Sequence, residues 1–247
     1  MASLTHYLQK ARLRTLDRQP EADAFANVYY SGTTYSLWKA ARGPTLEHSV
    51  GLVLDAGSGR GAWASIICQR ATRESVDIAP KSGEVVTWIA DLTEMPVVPS
   101  GRYDAAVCHQ VLEHVPDPAA AVRELHRVLK PGGALVISVP HLSRQHELPH
   151  DYFRFTPQGL QRLLEDAGFE VRSIAGYGGV LSFLHHQFAT AFIGIAAVSP
   201  ALHWLATALN APLSVLSTKL DAVLDRGKLL AVGVVAVAVR QEDAPEN

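Results

Sequence analysis

Apolar positions along this chain fall into two patterns that alternate: short unbroken runs and stripes of helical spacing. The runs Val50–Leu54, Glu74–Ile78, Val85–Ala90, Tyr103–Cys108, Ala134–Val139, Phe169–Ile174 and Leu229–Val239 read as strands. After the first run, Ala62–Cys68 reads as the start of a helix. Asp117-Pro118 supplies an N-cap with proline at N1, and Ala121, Val122, Leu125, Val128 and Leu129 then form one apolar face. Pro131-Gly132-Gly133 stops that helix. Thr156-Pro157 opens another, with Leu160, Leu163, Leu164 and Ala167 turned inward and Gly168 as its stop. Strands alternating with helices predict an α/β fold, a doubly wound, mostly parallel seven-stranded sheet covered on both faces.

Two regions break the alternation. Residues 1–43 form an aromatic-bearing helical lead-in, with Leu4, Tyr7, Leu8, Ala11 and Leu13 in helical spacing before Phe25, Tyr29, Tyr30, Tyr35 and Trp38. Such a segment either packs as core or acts as a lid over a ligand edge. Residues 176–227, between the sixth and seventh strands, form an insertion. Ser173 through Thr218 contain no Asp, Glu, Lys or Arg, and Leu181–Val198 is apolar nearly all round a helix. Pro200 and Pro212 divide the region into three predicted helices. A helix of this kind is buried or touches lipid. Its hydropathy only grazes that of a spanning segment, so a helical cap is expected, with peripheral membrane contact or a homodimer through residues 180–225 as its uses. The domain itself is read as residues 44–240, followed by a disordered tail at 241–247.

The first strand runs into Asp55-Ala56-Gly57-Ser58-Gly59-Arg60-Gly61. Glycines in a strand-to-helix turn permit positive φ and let a ligand approach the main chain. With Ala62 they also satisfy a loose dinucleotide pattern, and Asp77 lies near the ribose-binding spacing. Asp55 argues against a pyrophosphate, because it brings negative charge to the loop; a cationic ligand without phosphate suits it better. Asp55, Asp77, Asp91 and His109 lie at or just past the ends of four successive strands. In a doubly wound sheet that is the edge where ligands bind.

Composition narrows the picture only slightly. The chain has 247 residues, 48% of them hydrophobic, with a formal net charge of −2 and dispersed Lys and Arg. No nucleic-acid partner is expected. Cys68 and Cys108 fall in a helix and a strand, as reduced core residues do. Met1–Gln19 has no apolar h-region, which predicts no secretory signal and a cytoplasmic, possibly membrane-associated protein.

The segments V-L-D-A-G-S-G-R-G, S-V-D-I, I-A-D-L, Y-D-A-A-V-C-H-Q-V-L-E-H-V, L-H-R-V-L-K-P-G-G-A-L-V-I-S-V-P and H-D-Y-F-R-F-T-P-Q-G-L-Q-R-L-L-E-D-A-G-F occur in this order between about Gly51 and Val171. Together they resemble class I methyltransferases of the type 11 group, dependent on S-adenosylmethionine (SAM) and related to the quinone-biosynthesis C- and O-methyltransferases. The resemblance implies a Rossmann-like sheet with an antiparallel seventh strand and SAM as cofactor. It implies that Gly57 and Gly59 pass beside the methionyl part and that Asp55 helps hold its ammonium. Asp77 would accept from the ribose hydroxyls with Ile78 beside it, Asp91 from the adenine amino group, and Leu92 would pack near the ring. His109 and Gln110 would border the methyl-transfer end.

The acceptor reads as an apolar small molecule or a lipid-linked one, methylated on oxygen or carbon. Methyl transfer needs chiefly an in-line acceptor and exclusion of water. A hydroxyl acceptor also benefits from a base. His150 ranks first among the candidates His109, His114, His146 and His150. The spacing of His141, His146 and His150 invites a metal reading, but histidine-rich loops usually hold no ion, so no metal is expected. The competing readings are a non-catalytic SAM-binding scaffold and a nicotinamide oxidoreductase.

Overall fold

The computed structural model describes residues 28–80, 85–196 and 199–241. Seven strands form one sheet: β1 (Gly51–Ala56), β2 (Ala71–Asp77), β3 (Trp88–Ile89), β4 (Tyr103–His109), β5 (Leu129–Pro140), β6 (Phe169–Tyr177) and β7 (Gly233–Arg240). Their order is β3-β2-β1-β4-β5-β7-β6. Strands β1 to β5 pair in parallel, and β7 runs antiparallel to β5, Ala134 opposite Val239 through Pro140 opposite Gly233. Helices α1 (Gly32–His48), α2 (Ala64–Ile67), α3 (Pro118–Val128), α4 (Pro157–Asp166), α5 (Val180–Ala196) and α6 (Pro200–Leu224) complete the described elements, with a 3-10 turn at Leu112–His114.

Alternation along the central strands divides the core between the two faces of the sheet. Leu54, Val76, Ala106, Cys108 and Ile137 face the apolar stripe of α3 and Leu160 and Leu164 of α4. Val53, Ala105 and Val107 face Ile67 and Trp63. The caps act as expected: Asp117 Oδ1 accepts from Ala120 N at 2.9 Å, and Thr156 Oγ1 from Gly159 N at 3.0 Å. Glu74 ties three strands together. Its carboxylate accepts from Tyr103 Oη, Trp88 Nε1 and Arg102, and the Arg102 guanidinium holds the carboxyl down to about 2.

Several boundaries differ from the sequence expectation. Strand β3 is only two residues long. Strand β5 begins at Leu129 and runs through the Pro131-Gly132-Gly133 stretch. The register against β4 shifts between Tyr103 and Ala105, so the extra residues are taken up as an irregularity. The insertion holds two described helices rather than three. Pro200 opens α6 at its first turn, but Pro212 lies inside it. Proline removes one ladder bond there, while the hydroxyls of Ser214, Ser217 and Thr218 bond back to helix carbonyls across the same turns. Residues 1–27, where most of the lead-in falls, and 242–247, where most of the tail falls, lie outside the described residues.

The chain divides into two compact units. The sheet unit comprises Ala40–Gly176 and the residues from Gly233 onward; the helical unit comprises the residues up to Lys39 and Tyr177–Val232. The helical unit buries many polar groups beside a small apolar cluster of Tyr30, Ala189, Ile193 and Ala206. Asn210 donates to the carbonyls of Tyr30 (2.6 Å) and Tyr29 (3.1 Å), and its Oδ1 meets His185 Nε2 at 2.9 Å. Asp221 accepts from Leu181 N and Ser182 N, closing the start of α5. His203, Thr207, Ser214, Ser217 and Thr218 are buried as well. The outward face of α6 carries Leu202, Leu205, Leu209, Leu213, Leu216, Leu220 and Leu224, each between 42% and 70% exposed. Gly178 and Gly179 serve close packing: a Cβ on either would lie 2.4 Å from Val232 or 2.6 Å from Asp221. Among the described residues no helix is long and apolar enough to cross a membrane.

Candidate active site

The turn after β1 is built by its glycines. Gly57, Gly59 and Gly61 all have positive φ, and a Cβ on Gly57 would lie 2.5 Å from the Val111 side chain. Gly57 N and Ser58 N both donate to the Val76 carbonyl, at 2.8 and 3.2 Å. Asp77, at the end of β2, accepts from Gly59 N at 2.8 Å through Oδ2. The residue expected to hold a ribose thus also fixes the loop.

Asp55 is buried in β1 and accepts from Arg73 Nε at 2.8 Å. Arg73, Ser75 and Asp77 alternate along β2, so the arginine shares a face with the site aspartate. Sequence reading missed Arg73. That alternation was visible in the chain, but the pairing with Asp55 depends on the β1–β2 register. Ile78, the residue after β2, is exposed. Asp91 is exposed, and its Oδ1 accepts from Thr93 N and Oγ1, both at 2.8 Å. The Leu92 side chain packs in the core with Met95 and Leu112.

His109 closes β4. It is buried, with Nε2 2.9 Å from Thr45 Oγ1 and Nδ1 3.0 Å from Ser138 Oγ, and Trp63 packs on its ring at 4.3 Å. Burial pushes its pKa down to about 3, so the ring is neutral at physiological pH. With both nitrogens engaged by hydroxyls, it is placed to orient its neighbours rather than to take a proton. Thr45, which comes from α1, is a second residue the sequence did not flag. Gln110 follows with φ 56°, a conformation rare for a side-chain-bearing residue; its N donates to Ser138 O at 2.8 Å, and its Nε2 lies 3.3 Å from Ser138 Oγ.

The remaining candidates lie on the turn after β4 (His114) and on the loop after β5 (His146 and His150). His150 is exposed, its Nδ1 2.9 Å from Tyr152 Oη. Asp151 and Arg154 pin that loop through paired bonds of 2.6 and 2.8 Å, and Asp151 also accepts from His146 N. A cleft of about 190 Å³ opens here, lined by Ser143, Gln145, Asp151, Tyr152, Phe153 and Arg154. It is small beside the pockets that enclose whole cofactors, which run to several hundred Å³. Glu113 is fully buried, and burial pushes its carboxyl up to about 8. Its neighbours are His114 and His146; His141 and His150, the other histidines of the expected spacing, are not part of that cluster.

Residues 8–174 match the family described as methyltransferase domain. The ubiquinone biosynthesis O-methyltransferase of Pseudomonas paraeruginosa is 32% identical over 154 residues, which make up 50% of this chain and 66% of that protein. Its counterpart from Chromobacterium violaceum is 31% identical over 160 residues, 51% of this chain and 67% of that one. The chain therefore spans just under two thirds of the Pseudomonas relative.

Among solved structures, the 1,6-didemethyltoxoflavin-N1-methyltransferase of Burkholderia thailandensis, with 1,6-didemethyltoxoflavin and S-adenosylhomocysteine bound, superposes with a TM-score of 0.56. It is 16% identical, over 98% of this chain and 92% of that one. The [4+2]-cyclase SpnF superposes with a TM-score of 0.57 at 19% identity, over 82% and 81%. The same architecture thus also carries a cyclisation, and fold alone does not name a reaction. A family match over this much of the chain does name the lineage: the protein belongs to the class I methyltransferases, which draw their methyl group from SAM.

Proposed function

We propose that the enzyme transfers a methyl group from SAM to a hydroxyl oxygen of an apolar, lipid-linked acceptor met at a membrane surface. The observation that carries this reading is the polarity of the helical unit, with buried Asn210, His185, Ser214 and Asp221 and an exposed leucine face on α6. Membrane-embedded helices keep polar groups inward and apolar groups outward in this way. A helix lying in the interface needs only one such face and no span. Oxygen is favoured because the quinone-pathway relatives are O-methyltransferases.

In this reading Asp77 holds the ribose hydroxyls while it anchors the loop at Gly59. Gly57 and Gly59 border the methionyl chain, Asp91 takes the adenine amino group, and Ile78 lies against the ring. Asp55, whose Oδ2 accepts from Arg73, helps hold the methionyl ammonium directly or through water. His109 and Gln110 shape the methyl-transfer end. The acceptor oxygen attacks the methyl carbon as the carbon–sulfur bond breaks, S-adenosylhomocysteine leaves with the electron pair, and the hydroxyl proton passes to His150 or to solvent.

The test supplies methyl-labelled SAM and a total membrane lipid extract in vesicles, and follows label into the organic phase. Vesicle flotation and light scattering run alongside. Organic-soluble label and flotation of the protein are expected. Label confined to water-soluble products, or a dimer buried through α6 that ignores vesicles, would overturn the reading.

A further inference from the structure

His109 stands in the middle of a buried chain of hydrogen bonds. Thr45 Oγ1, from α1, lies 2.9 Å from its Nε2, and Ser138 Oγ, from β5, lies 3.0 Å from its Nδ1. The side-chain amide of Gln110 lies 3.3 Å from the same Ser138 hydroxyl. Both hydroxyls are fully buried, and neither has a further partner among the described residues.

The hydrogens of this chain can be counted. The neutral ring of His109 carries one and each hydroxyl carries one, for three links in all. If the amide nitrogen of Gln110 faced Ser138, it would fill one link and leave three hydrogens for the other two. One buried hydroxyl would then lack an acceptor, whichever ring nitrogen is protonated, and such a group is costly. The nitrogen and oxygen of an amide exchange places by a half-turn of its last torsion, and only their hydrogen bonds tell them apart. With the oxygen facing Ser138, three hydrogens fill three links in a single order. Thr45 donates to His109 Nε2, His109 Nδ1 donates to Ser138, and Ser138 donates to Gln110 Oε1.

That order frees the amide nitrogen. Gln110 is partly exposed, and no described group meets the other end of its amide. Its backbone is held at φ 56° while its N donates to Ser138 O at 2.8 Å, so Ser138 fixes both the main chain and the side chain. Strained residues held in this way belong to ligand clamps. The glycine turn lies alongside: a Cβ on Gly57 would meet the side chain of Val111, the residue after Gln110, at 2.5 Å. From this arrangement we infer that Gln110 donates its amide N–H to the methionyl carboxylate of the bound cofactor. The methionyl chain carries no other oxygens. Its ammonium suits Asp55, so the charged groups of one amino-acid end meet an acceptor and a donor. A donor without charge also leaves the Asp55 carboxylate its own cations. The inference rests on the proposed course of the methionyl chain beside Gly57 and Gly59.

The experiment is calorimetry on the full chain and its Gln110→Glu variant, with S-adenosylhomocysteine and with the analogue that lacks the carboxylate. Glutamate keeps an oxygen toward Ser138 and puts a second one where the amide nitrogen was. S-adenosylhomocysteine should bind the variant about 10–100-fold more weakly, the range for losing a hydrogen bond to a charged group. The decarboxylated analogue should show no such loss. With the amide the other way round, glutamate would preserve the ligand-facing oxygen and affinity would not fall. Proton–nitrogen correlation spectra of the histidine rings add a readout without ligand: His109 should carry its proton on Nδ1. Unchanged S-adenosylhomocysteine affinity in folded Gln110→Glu, an equal loss for both ligands, or a His109 proton on Nε2 would each overturn the inference. Asp77→Ala separates its failure from that of the proposed site. If Asp77→Ala weakens S-adenosylhomocysteine and Gln110→Glu does not, the site stands and the Gln110 contact falls; if neither does, the cofactor placement itself fails.

Discussion

The two compact units of this chain solve burial in opposite ways. In the sheet unit, Leu54, Leu125, Leu135 and Ile137 are fully enclosed, and ionisable groups sit at the strand ends, in the Glu74 staple and at buried Glu113. In the helical unit Asn210, Ser214, Ser217 and Asp221 are enclosed beside a small apolar cluster of Tyr30, Ala189, Ile193 and Ala206, while leucines fill the outer face of α6. The first arrangement draws its stability from removing apolar surface from water. The second draws less from that source and more from side-chain hydrogen bonds to backbone groups of Tyr29, Tyr30, Leu181 and Ser182. A leucine should thus mean different things in the two units, and that difference can be measured.

The sharpest contrast is the same substitution made in each. Leu125→Ala, in the core against the sheet, should cost about 2–5 kcal/mol of unfolding free energy. Leu209→Ala on α6 should stay within about 0.5 kcal/mol, yet lower vesicle partitioning. Denaturant titration and flotation of both variants read the two effects. A large stability loss at Leu209 would show that the outer face is not outer in solution.

Next in size is the helical unit's polar centre. Asn210→Leu removes the amide's bonds to the Tyr30 and Tyr29 carbonyls and to His185 Nε2, at about 1–3 kcal/mol. A variant more stable than wild type would mean that the network is tolerated rather than required. Comparable in size, but read in binding, is Asp77→Ala. Loss of its charged hydrogen bonds should weaken SAM by about 1–3 kcal/mol in a folded protein, by calorimetry; unchanged affinity would remove Asp77 from the site.

The smallest expected effect is one of acidity. Glu74 is held down to about 2, chiefly by Arg102, so its contribution is complete above the unfolded-state value near 4.5 and is lost as pH falls toward 2. Glu74→Gln should lower stability most near neutrality and flatten the acid limb of the profile between those values, the gap to wild type closing as pH falls toward 2. His109, neutral down to about 3, should contribute no ionisation to the kcat profile between pH 5 and 8.

Much of the sheet unit was legible in the chain because its information is local. The β1 turn needs glycines where φ is positive, the Asp117 and Thr156 caps sit beside proline, and aspartates mark the strand ends. What escaped depends on register and on distant partners. The Arg73–Asp55 pair exists because β2 lies against β1, and the Thr45–His109 contact joins residues far apart in sequence. Pro212 misled for another reason: its local preference to end a helix gave way to tertiary packing and hydroxyl back-bonding. The leucine face of α6 could be seen as apolar, but that its opposite face is buried and polar could not, since a charge-free run hides serine, threonine and asparagine among its small residues.

Strand β7 lies between β5 and β6, yet it follows both in the chain, after the whole stretch Gly178–Val232. On a ribosome, the seat between those two strands therefore stays vacant while the helical unit is being synthesised. Every contact that fills it is distant in sequence, and such pairings form slowly. The two strand edges flanking the gap are, for that interval, open to mispairing with other chains. Folding of the helical unit as it emerges would shorten the effective loop and so hasten the arrival of the last strand. A leucine face with a use in the finished enzyme would then have a polar interior with a use in its birth.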